Sequence, residues 1–330
     1  MTAPIVSVVM SVYNGEKYLA EAIKSILSQS LIEFEFIIIN DGSTDNSLEI
    51  IQSFMSLDKR IVLISRENKG LVASLNEGIS VAKGKYIARM DADDVAKDIR
   101  FERQVSFLDK NPDVGVCGSW VRIFGENIKP AIWRMPASDK ALRPRLLFSV
   151  PVAHPSVMFR RDIVVNASLR YDEEYKNAED YKFWVELSRY TKFANIQKVL
   201  LDYRYHTASI SRVADKKKSE DRFLTITKIQ AGMQSGLGLD IDEKDRLIGF
   251  VLALNDRMPG SPFSLFEVRN YLLKLYKKNK EVELFDNFSL YCFLSRKYFI
   301  YAVKRYKFGF FDFGGIGMLL FGLVSTICNI

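Results

Sequence analysis

The sequence has few of the residues that mark disulfide-stabilised or zinc-binding proteins. Its 330 residues include three cysteines, Cys117, Cys292 and Cys328, and two histidines. An odd number of cysteines at long spacings forms neither a disulfide framework nor a Cys-x-x-Cys metal site, so a reducing, cytoplasmic setting is predicted. The first residues also lack a basic segment and a small-residue cleavage pattern, and we therefore expect no signal peptide.

Two common phosphate-binding loops are also missing. After the first predicted strand the chain reads Tyr13-Asn14-Gly15-Glu16, where a dinucleotide-binding fold would carry Gly-x-Gly-x-x-Gly, and no Walker A pattern occurs. Both absences argue against those nucleotide-binding folds.

The net charge of +7 is compatible with nucleic acid, an anionic membrane or a phosphorylated small molecule, depending on where the basic residues lie.

Predicted strands and helices alternate over the first hundred residues. Residues 5–12 and 34–40 form continuous apolar runs typical of buried strands, and apolar residues recur at helical spacing from Glu16 to Ser28 between them. The pattern continues with a helix that opens in 43–45, a strand at 61–65, a helix at 71–82 and a strand at 86–90. This order predicts a parallel sheet with helices on its faces, in which ligands bind beyond the carboxyl ends of the strands.

The remainder of the chain predicts a second region of a different kind. A helix at 99–111, a strand at 114–124 and shorter mixed elements complete a first domain over residues 1–211. A charge run at 215–221 then marks a boundary, and an almost wholly helical domain is predicted over 212–307. The last segment, 308–330, is apolar and glycine-rich, with Asp312 as its only charged side chain.

Two of the predicted strands end in carboxylates. Asp41 follows the second strand, and the cluster Asp91–Asp94 follows the fourth. Because parallel strands end at the same edge, these carboxylates are expected to share one crevice, where a cation such as Mg²⁺ or Mn²⁺ would keep them ionised and hold a substrate's phosphates. The alternative is that the aspartates are ordinary turn and helix-cap residues.

Three motifs in this order resemble the signatures of inverting glycosyltransferases of family 2, which have the GT-A fold. The motifs are 8–14 (VVMSVYN), 40–45 (NDGSTD) and 91–94 (DADD). The resemblance extends from about residue 5 to 211 and implies a Rossmann-like α/β domain with a mostly parallel central sheet and helices on both faces, followed by a helical C-terminal region. It also assigns most of a nucleotide-sugar site: Ser11, Tyr13 and Asp41 on the base and ribose, Asp91 on the ribose, Asp93 on a Mn²⁺ or Mg²⁺ ion that bridges the diphosphate, and Arg66 and Asn68 in a loop over the nucleotide.

An inverting transfer also needs a base opposite the leaving diphosphate. The run 177–184 (NAEDYKFW) resembles the base motif of the family, which implies Asp180 as the base and Glu179 close to the acceptor or the donor sugar. The alternative is that both are first-turn residues that complement a helix dipole. His206, in 203–211, is similar to a histidine that reaches the metal or the diphosphate in bacterial members, whereas we expect a structural role for His154.

The C-terminal region suggests where the protein acts. Residues 296–307 contain five basic side chains and no acidic one, and the apolar segment 308–330 follows directly, so the basic residues are expected to face an anionic membrane rather than nucleic acid. We favour an anchor in the membrane interface over a spanning helix, which needs about 20 mostly apolar residues, and over a segment packed on the helical domain.

The resulting prediction is a metal-dependent enzyme at the inner face of the cell membrane. It would transfer one sugar from a nucleotide-diphosphate donor, UDP above all, to a lipid-linked saccharide of a surface polysaccharide such as O-antigen, capsule or lipopolysaccharide. Processive members of the family carry a Gln-x-x-Arg-Trp motif and several transmembrane helices, and this sequence has neither. Two alternatives remain: a sugar-phosphate nucleotidyltransferase, and a membrane-bound scaffold with this fold but no turnover.

Overall fold

The computed structural model describes residues 3–206, 219–254 and 262–306. The chain divides into an α/β unit, Met1–Ala137 with Val152–Lys217, and a helical unit, Ser138–Pro151 with Lys218–Ile330. The segment Ser138–Pro151 belongs to the helical unit although it lies within the first predicted domain. The predicted boundary between 211 and 212 and the apolar segment 308–330 fall outside the described residues.

The elements are numbered along the chain. The strands are β1 Val6–Val12, β2 Phe34–Asp41, β3 Ile61–Arg66, β4 Tyr86–Asp91, β5 Val95–Ala96, β6 Val114–Gly125, β7 Ala131–Trp133, β8 Met158–Arg160 and β9 Lys192–Tyr205. The helices are α1 Glu16–Leu27, α2 Ser47–Leu57, α3 Leu71–Val81, α4 Arg100–Lys110, α5 Asp139–Leu142, α6 Arg161–Asn166, α7 Glu179–Leu187, α8 Ser219–Ser235, α9 Glu243–Leu254, α10 Leu265–Val282 and α11 Asn287–Tyr306. Short 3-10 turns lie at Arg143–Leu147, His154–Ser156 and Glu173–Tyr175.

One sheet of nine strands organises the described part of the α/β unit. Its order is β3-β2-β1-β4-β8-β6-β9-β5, and β7 pairs with β6. The first four strands are parallel, as the sequence predicts, while β8 runs antiparallel to both β4 and β6. The 14-residue strand β9 was not predicted, because polar residues at its centre break the apolar pattern of a buried strand.

Helices cover both faces of the parallel strands, which explains their continuous apolar runs. Val8 and Met10 of β1 lie in one buried cluster with Leu19 and Ile23 of α1. Val9 points to the opposite face, where a Cβ on Gly78 of α3 would lie 2.4 Å from its Cγ1. The absence of a side chain at position 78 therefore lets α3 approach the sheet closely.

The helical unit has an apolar core of its own. Val268, Leu272 and Leu275 of α10 pack in one buried cluster with Leu294 and Tyr298 of α11. Within 3–206, 219–254 and 262–306, no helix has both the length and the apolar character that a membrane crossing requires.

One expectation about the basic segment 296–307 is wrong at Lys297, which does not face outward toward a membrane. Lys297 is only 5% exposed, and its Nζ donates a hydrogen bond to the carbonyl of Leu252 at 2.7 Å. In the sequence, Lys297 belongs to a basic stretch of a predicted helix. The charge of a lysine does not reveal which face of the helix it occupies.

Candidate active site

The carboxyl ends of β1, β2 and β4 lie at one edge of the sheet. β1 runs between the other two strands, with Ser11 opposite Ile39 of β2 and Asp91 of β4. Because neighbouring strands are about 4.8 Å apart, β2 and β4, which end in Asp41 and Asp91, flank β1 at a separation of about 10 Å. The structure therefore places both carboxylate groups at the same edge.

Asp41 holds the loop that follows β3. The residue is 2% exposed, and its carboxylate accepts hydrogen bonds from the backbone N–H groups of Lys69 at 2.8 Å and Gly70 at 2.9 Å. It also forms an ion pair with Arg66, whose Nε donates to Glu77 at 2.6 Å. Two of the predicted nucleotide-site residues, Asp41 and Arg66, are thus in direct contact and fix the loop that contains Asn68.

Gly42 allows this loop to approach the end of β2. Its φ is +72°, and a Cβ at this position would lie 2.6 Å from the backbone nitrogen of Asn68. We expect Gly42→Ala to destabilise the protein by about 2–3 kcal/mol, because left-handed strain and a clash with the backbone add together.

The matched control for this prediction is Gly238→Ala. Gly238 has a φ of +66° but no atom within 4 Å of the added Cβ, so only the strain of about 1 kcal/mol is expected. Urea unfolding of both variants measures the difference, and equal losses would contradict the close approach of the loop.

Ser11 and Tyr13 lie at the end of β1. Ser11 is half-buried beside Asp91 in the sheet register, and Tyr13 is 55% exposed just beyond the strand. Asn14, the next residue, has a φ of 50°, and its Oδ1 accepts a hydrogen bond from the backbone N–H of Thr44 at 2.8 Å. This bond joins the loops after β1 and β2, and the ring of Tyr13 is left accessible above them.

The second acidic motif forms a compact cluster after β4. One carboxylate oxygen from each of Asp91, Asp93 and Asp94 lies within 4.8 Å of the others. Asp94 is buried, whereas Asp91 and Asp93 are half-buried. His206 reaches the same cluster, with its Nε2 2.8 Å from Oδ2 of Asp93. The structure thus brings together the two residues predicted to be metal ligands, Asp93 and His206, although they are 113 positions apart.

Two arginines that the sequence did not single out hold this cluster in place. Arg89, which is 6% exposed, forms an ion pair with Asp91. The backbone N–H of Arg204 donates to Oδ1 of Asp94, and its Nε donates to the carbonyl of Asp93, each at 2.8 Å. Each arginine lies two positions before a predicted site residue, Arg89 before Asp91 and Arg204 before His206. This spacing could have drawn attention to them, but the sequence does not show which residues they contact.

The cluster has more negative charge than these arginines compensate. Burial raises the pKa of Asp94 well above its usual range, and the charges of Asp91 and Asp93 raise it further. Burial also raises the pKa of Asp91, against the opposing effect of Arg89. Among the described residues, the buried Oδ2 of Asp94 accepts no hydrogen bond. A bound cation would give the buried Oδ2 of Asp94 a partner. It would also stabilise the ionised form of all three carboxylates.

Glu179 and Asp180 open α7 near this cluster. The chain enters the helix through Asn177, whose φ is 67°, and the buried Phe183 and Trp184 fix α7 in the core. Burial, together with the charge of Asp180, raises the pKa of Glu179 to about 7. The charge of Asp180 also raises the pKa of Asp91. The negative charge of the predicted base thus disfavours ionisation of Asp91.

His154 is buried among aromatic side chains. Its Nε2 lies 2.8 Å from the hydroxyl oxygen of Tyr171, and its ring packs against Tyr171 and Trp184. Burial, reinforced by the charge of Arg89, lowers the pKa of His154 well below its usual range. An imidazole with so low a pKa is neutral near pH 7.

Known proteins with similar sequences are named glycosyltransferases. The model of the family described as Glycosyl transferase family 2 matches residues 7–166. An uncharacterized glycosyltransferase of Haemophilus influenzae is 38% identical over 227 residues, which cover 66% of this chain and 70% of that protein. The O-antigen biosynthesis glycosyltransferase WbnJ of Escherichia coli is 32% identical over 217 residues, which cover 64% of this chain and 83% of that protein.

A solved structure has a similar fold. The crystal structure of S. aureus TarS 1–349 in complex with UDP-GlcNAc aligns with a TM-score of 0.61 at 17% identity, covering 98% of this chain and 92% of that chain. At this level of identity the likeness shows a shared fold.

Proposed function

Because the chain belongs to glycosyl transferase family 2, we propose that it is a metal-dependent inverting transferase that adds a single sugar to a lipid-linked saccharide. The predicted family, its GT-A type of α/β fold and the glycosyltransferase activity are confirmed. We further propose its donor, its metal, its acceptor and the roles of the site residues.

One observation supports the proposal: a second carboxylate, Asp180, acts electrostatically on the acidic cluster at the carboxyl end of β4. The Asp91–Asp94 cluster lies after β4, and Asp180 at the start of α7 is close enough to raise the pKa of Asp91. An inverting transfer requires this combination, because one set neutralises the leaving diphosphate and the other accepts a proton from the attacking hydroxyl.

The nucleotide of the donor would lie along the ends of β1 and β2. Tyr13 offers an exposed ring for stacking on the base, and Ser11 and Asp91 lie next to each other for contacts with the ribose. Asp41 and Arg66 would act mainly by fixing the loop that contains Asn68, since their charges already pair with each other. The TarS structure contains UDP-GlcNAc, which makes UDP-sugars the first donors to test.

The carboxylate cluster fits a hard divalent cation, Mn²⁺ or Mg²⁺. Asp91 and Asp93 offer accessible oxygens, Asp94 contributes a buried oxygen without a hydrogen bond, and His206 adds an imidazole nitrogen beside Asp93. Carboxylates suit either ion, and an imidazole ligand suits Mn²⁺ better than Mg²⁺. A bound ion would neutralise the diphosphate and stabilise the charge that develops on it as it leaves.

Asp180 is the proposed base. Its carboxylate takes the proton of the acceptor hydroxyl while the hydroxyl oxygen bonds to the anomeric carbon on the face opposite the diphosphate. The bond from the anomeric carbon to the diphosphate oxygen breaks at the same time, which inverts the configuration and releases the nucleoside diphosphate. Glu179, whose pKa is about 7, is partly protonated near neutral pH and can donate a hydrogen bond to a sugar hydroxyl.

A donor screen tests the proposal at the level of binding. We expect one or a few UDP-sugars to raise the unfolding temperature of the full chain in the presence of Mn²⁺, because a ligand that binds only the folded protein stabilises it by mass action. The rise should fall sharply in EDTA. Stabilisation by no UDP-sugar or dTDP-sugar, or equal stabilisation with and without metal, would contradict the proposed donor site.

Because the proposed acceptor is linked to a lipid, the enzyme would act at the inner face of the cell membrane. WbnJ acts in O-antigen biosynthesis according to its name, and the basic and apolar residues at the C-terminus suit an anionic lipid surface. Removal of residues 308–330 should release the protein from anionic vesicles in a flotation assay, while zwitterionic vesicles serve as the control. Unchanged partitioning of the shortened chain would refute the anchor.

A further inference from the structure

Two consecutive residues of α3 bind different parts of the candidate site. Asn76 contacts Tyr171, which lies in the segment that leads into α7, and Glu77 contacts Arg66, which precedes the loop over the proposed nucleotide site. Successive side chains of a helix project about 100° apart, so one helix can reach two neighbours in this way. All of these elements belong to the α/β unit.

Asn76 holds the backbone of Tyr171 at both of its polar groups. Its Nδ2 donates a hydrogen bond to the carbonyl of Tyr171 at 2.9 Å, and its Oδ1 accepts one from the backbone N–H of Tyr171 at 2.9 Å. The two residues are 95 positions apart in the sequence. Because one planar amide supplies both the donor and the acceptor, the pair of bonds fixes the orientation of Tyr171 as well as its position.

Tyr171 is in turn packed against α7. Its ring stacks on that of Phe183, with centroids 4.2 Å apart and an angle of 18° between the planes. Its hydroxyl oxygen lies 2.8 Å from Nε2 of His154, whose ring meets Trp184 edge-on. Tyr171 therefore contacts α7 directly through Phe183 and indirectly through His154.

The same helix holds the proposed base. Glu179 and Asp180 are the first two residues of α7, and Phe183 lies within one turn of them. Burial raises the pKa of the Tyr171 hydroxyl, and the charges of Asp180 and Glu179 raise it further. Because backbone hydrogen bonds join successive turns of a helix, a displacement of Phe183 would also displace Asp180.

The supporting helix α3 is firmly seated on the sheet. The buried apolar side chains on its inner face are those of Val72, Leu75 and Ile79. Gly78 lies so close to β1 that a Cβ at this position would be 2.4 Å from Cγ1 of Val9. A close-packed helix resists displacement, so Asn76 acts from a fixed position.

Glu77 acts on the nucleotide part of the site. Its Oε2 accepts a hydrogen bond from Nε of Arg66 at 2.6 Å, and Arg66 forms an ion pair with Asp41. Asp41 holds the loop after β3 through two backbone N–H groups. Neighbouring side chains of α3 thus offer a matched pair of substitutions, one at each part of the site.

We propose that Asn76 is a positioning residue for the base: it fixes Tyr171, and through Tyr171 it sets where α7 holds Asp180. This role rests on the proposed function, in which Asp180 is the base. A misplacement of about 1 Å can cost about 10²-fold in rate, whereas none of the proposed nucleotide contacts involves Tyr171. Loss of the Asn76 side chain should therefore slow the reaction more than it weakens nucleotide binding.

Kinetics of Asn76→Ala and Glu77→Ala test this division. Turnover is measured as release of UDP, with Mn²⁺, from the UDP-sugar that the wild type hydrolyses fastest, and binding is measured by calorimetry with UDP and Mn²⁺. We expect Asn76→Ala to lower kcat about tenfold or more and the UDP affinity less than about twofold. Glu77→Ala should instead lower the UDP affinity by a larger factor than kcat.

The control is Ser80→Ala on the same helix. Ser80 is exposed, and its substitution should change neither kcat nor the UDP affinity. Asn76 is half-buried and alanine favours a helix, so α3 should stay intact in Asn76→Ala.

Hydrogen exchange tests the positioning role without any reaction. Amides in 169–187 should exchange about tenfold or more faster in Asn76→Ala than in the wild type, because local opening of this segment no longer breaks two hydrogen bonds. Amides in 67–71 should be unaffected, and Glu77→Ala should show the opposite pattern. Equally faster exchange throughout the α/β unit would reveal a general loss of stability and would overturn the role.

The two measurements also distinguish this role from the proposed function. If the wild type turns over no UDP-sugar, the proposed function fails, and hydrogen exchange alone decides whether Asn76 fixes α7. If the wild type is active but Asn76→Ala keeps its kcat, or loses UDP affinity by as large a factor as kcat, Asn76 does not position the base.

Discussion

Asp180→Asn is expected to reduce sugar transfer by at least about 10³-fold while nucleotide binding stays nearly unchanged. A positioned base contributes about 10²–10⁴-fold to such reactions, and asparagine cannot accept the proton of the acceptor hydroxyl. The substitution keeps the size of the side chain, so α7 and its buried residues Phe183 and Trp184 should not be disturbed. Transfer is measured by release of the nucleoside diphosphate, and binding is measured by calorimetry with the same donor.

The control for this prediction is Glu186→Gln on the same helix. Glu186 makes ion pairs with Lys182 and Arg189, is partly buried, and its substitution changes the net charge by the same amount. We expect it to keep near-normal transfer, because Glu186 has no role in the proposed site. If Asp180→Asn lost nucleotide binding, or kept its transfer rate, the assignment of Asp180 as the base would be wrong.

Asp93→Asn has the second large expected effect. Asp93 lies beside His206 and within the three-carboxylate cluster, so its loss should weaken Mn²⁺ binding at least about 100-fold and reduce transfer by a similar or larger factor. The charge of Asp93 raises the pKa values of Asp91 and Asp94. Its removal relieves that repulsion, and we therefore expect the metal-free protein to unfold at an equal or higher temperature than the wild type.

The two readouts together separate a metal ligand from a structural residue. A structural aspartate would lower the unfolding temperature when replaced, whereas a ligand should abolish the stabilisation by Mn²⁺ and leave the metal-free protein intact. Asp113→Asn is the matched control, because Asp113 is exposed and pairs with Lys192. If the stability of Asp93→Asn still rose with Mn²⁺ as in the wild type, Asp93 would not be a ligand.

The parallel half of the sheet could be predicted from the sequence because its signals are local. The strands predicted at 5–12, 34–40, 61–65, 86–90 and 114–124 each agree with the structure to within one residue at either end. Buried parallel strands appear as unbroken apolar runs, and polar loop residues end them abruptly. The position of Asp41 and Asp91 at one edge follows from this order alone.

Contacts between distant parts of the chain could not be predicted. Arg204 holds Asp94 from 110 positions away, and nothing in either local sequence indicates the partner of the other. Arg89 was missed for a related reason. It lies in a strand of apolar residues, and its ion pair with Asp91 becomes evident only in the structure. The burial of Lys297 was misjudged because a long side chain can lie in a core if a carbonyl accepts a hydrogen bond from its ammonium group.

The central claim is tested most directly by turnover of a panel of UDP-sugars by the full chain, with Mn²⁺ and with EDTA. The account predicts that at least one donor is converted to UDP and a free or transferred sugar in Mn²⁺, that the released sugar has inverted configuration at the anomeric carbon, and that EDTA stops the reaction. Turnover of no donor would contradict the claim, and so would synthesis of a nucleotide sugar from a sugar phosphate, since that reaction belongs to a nucleotidyltransferase.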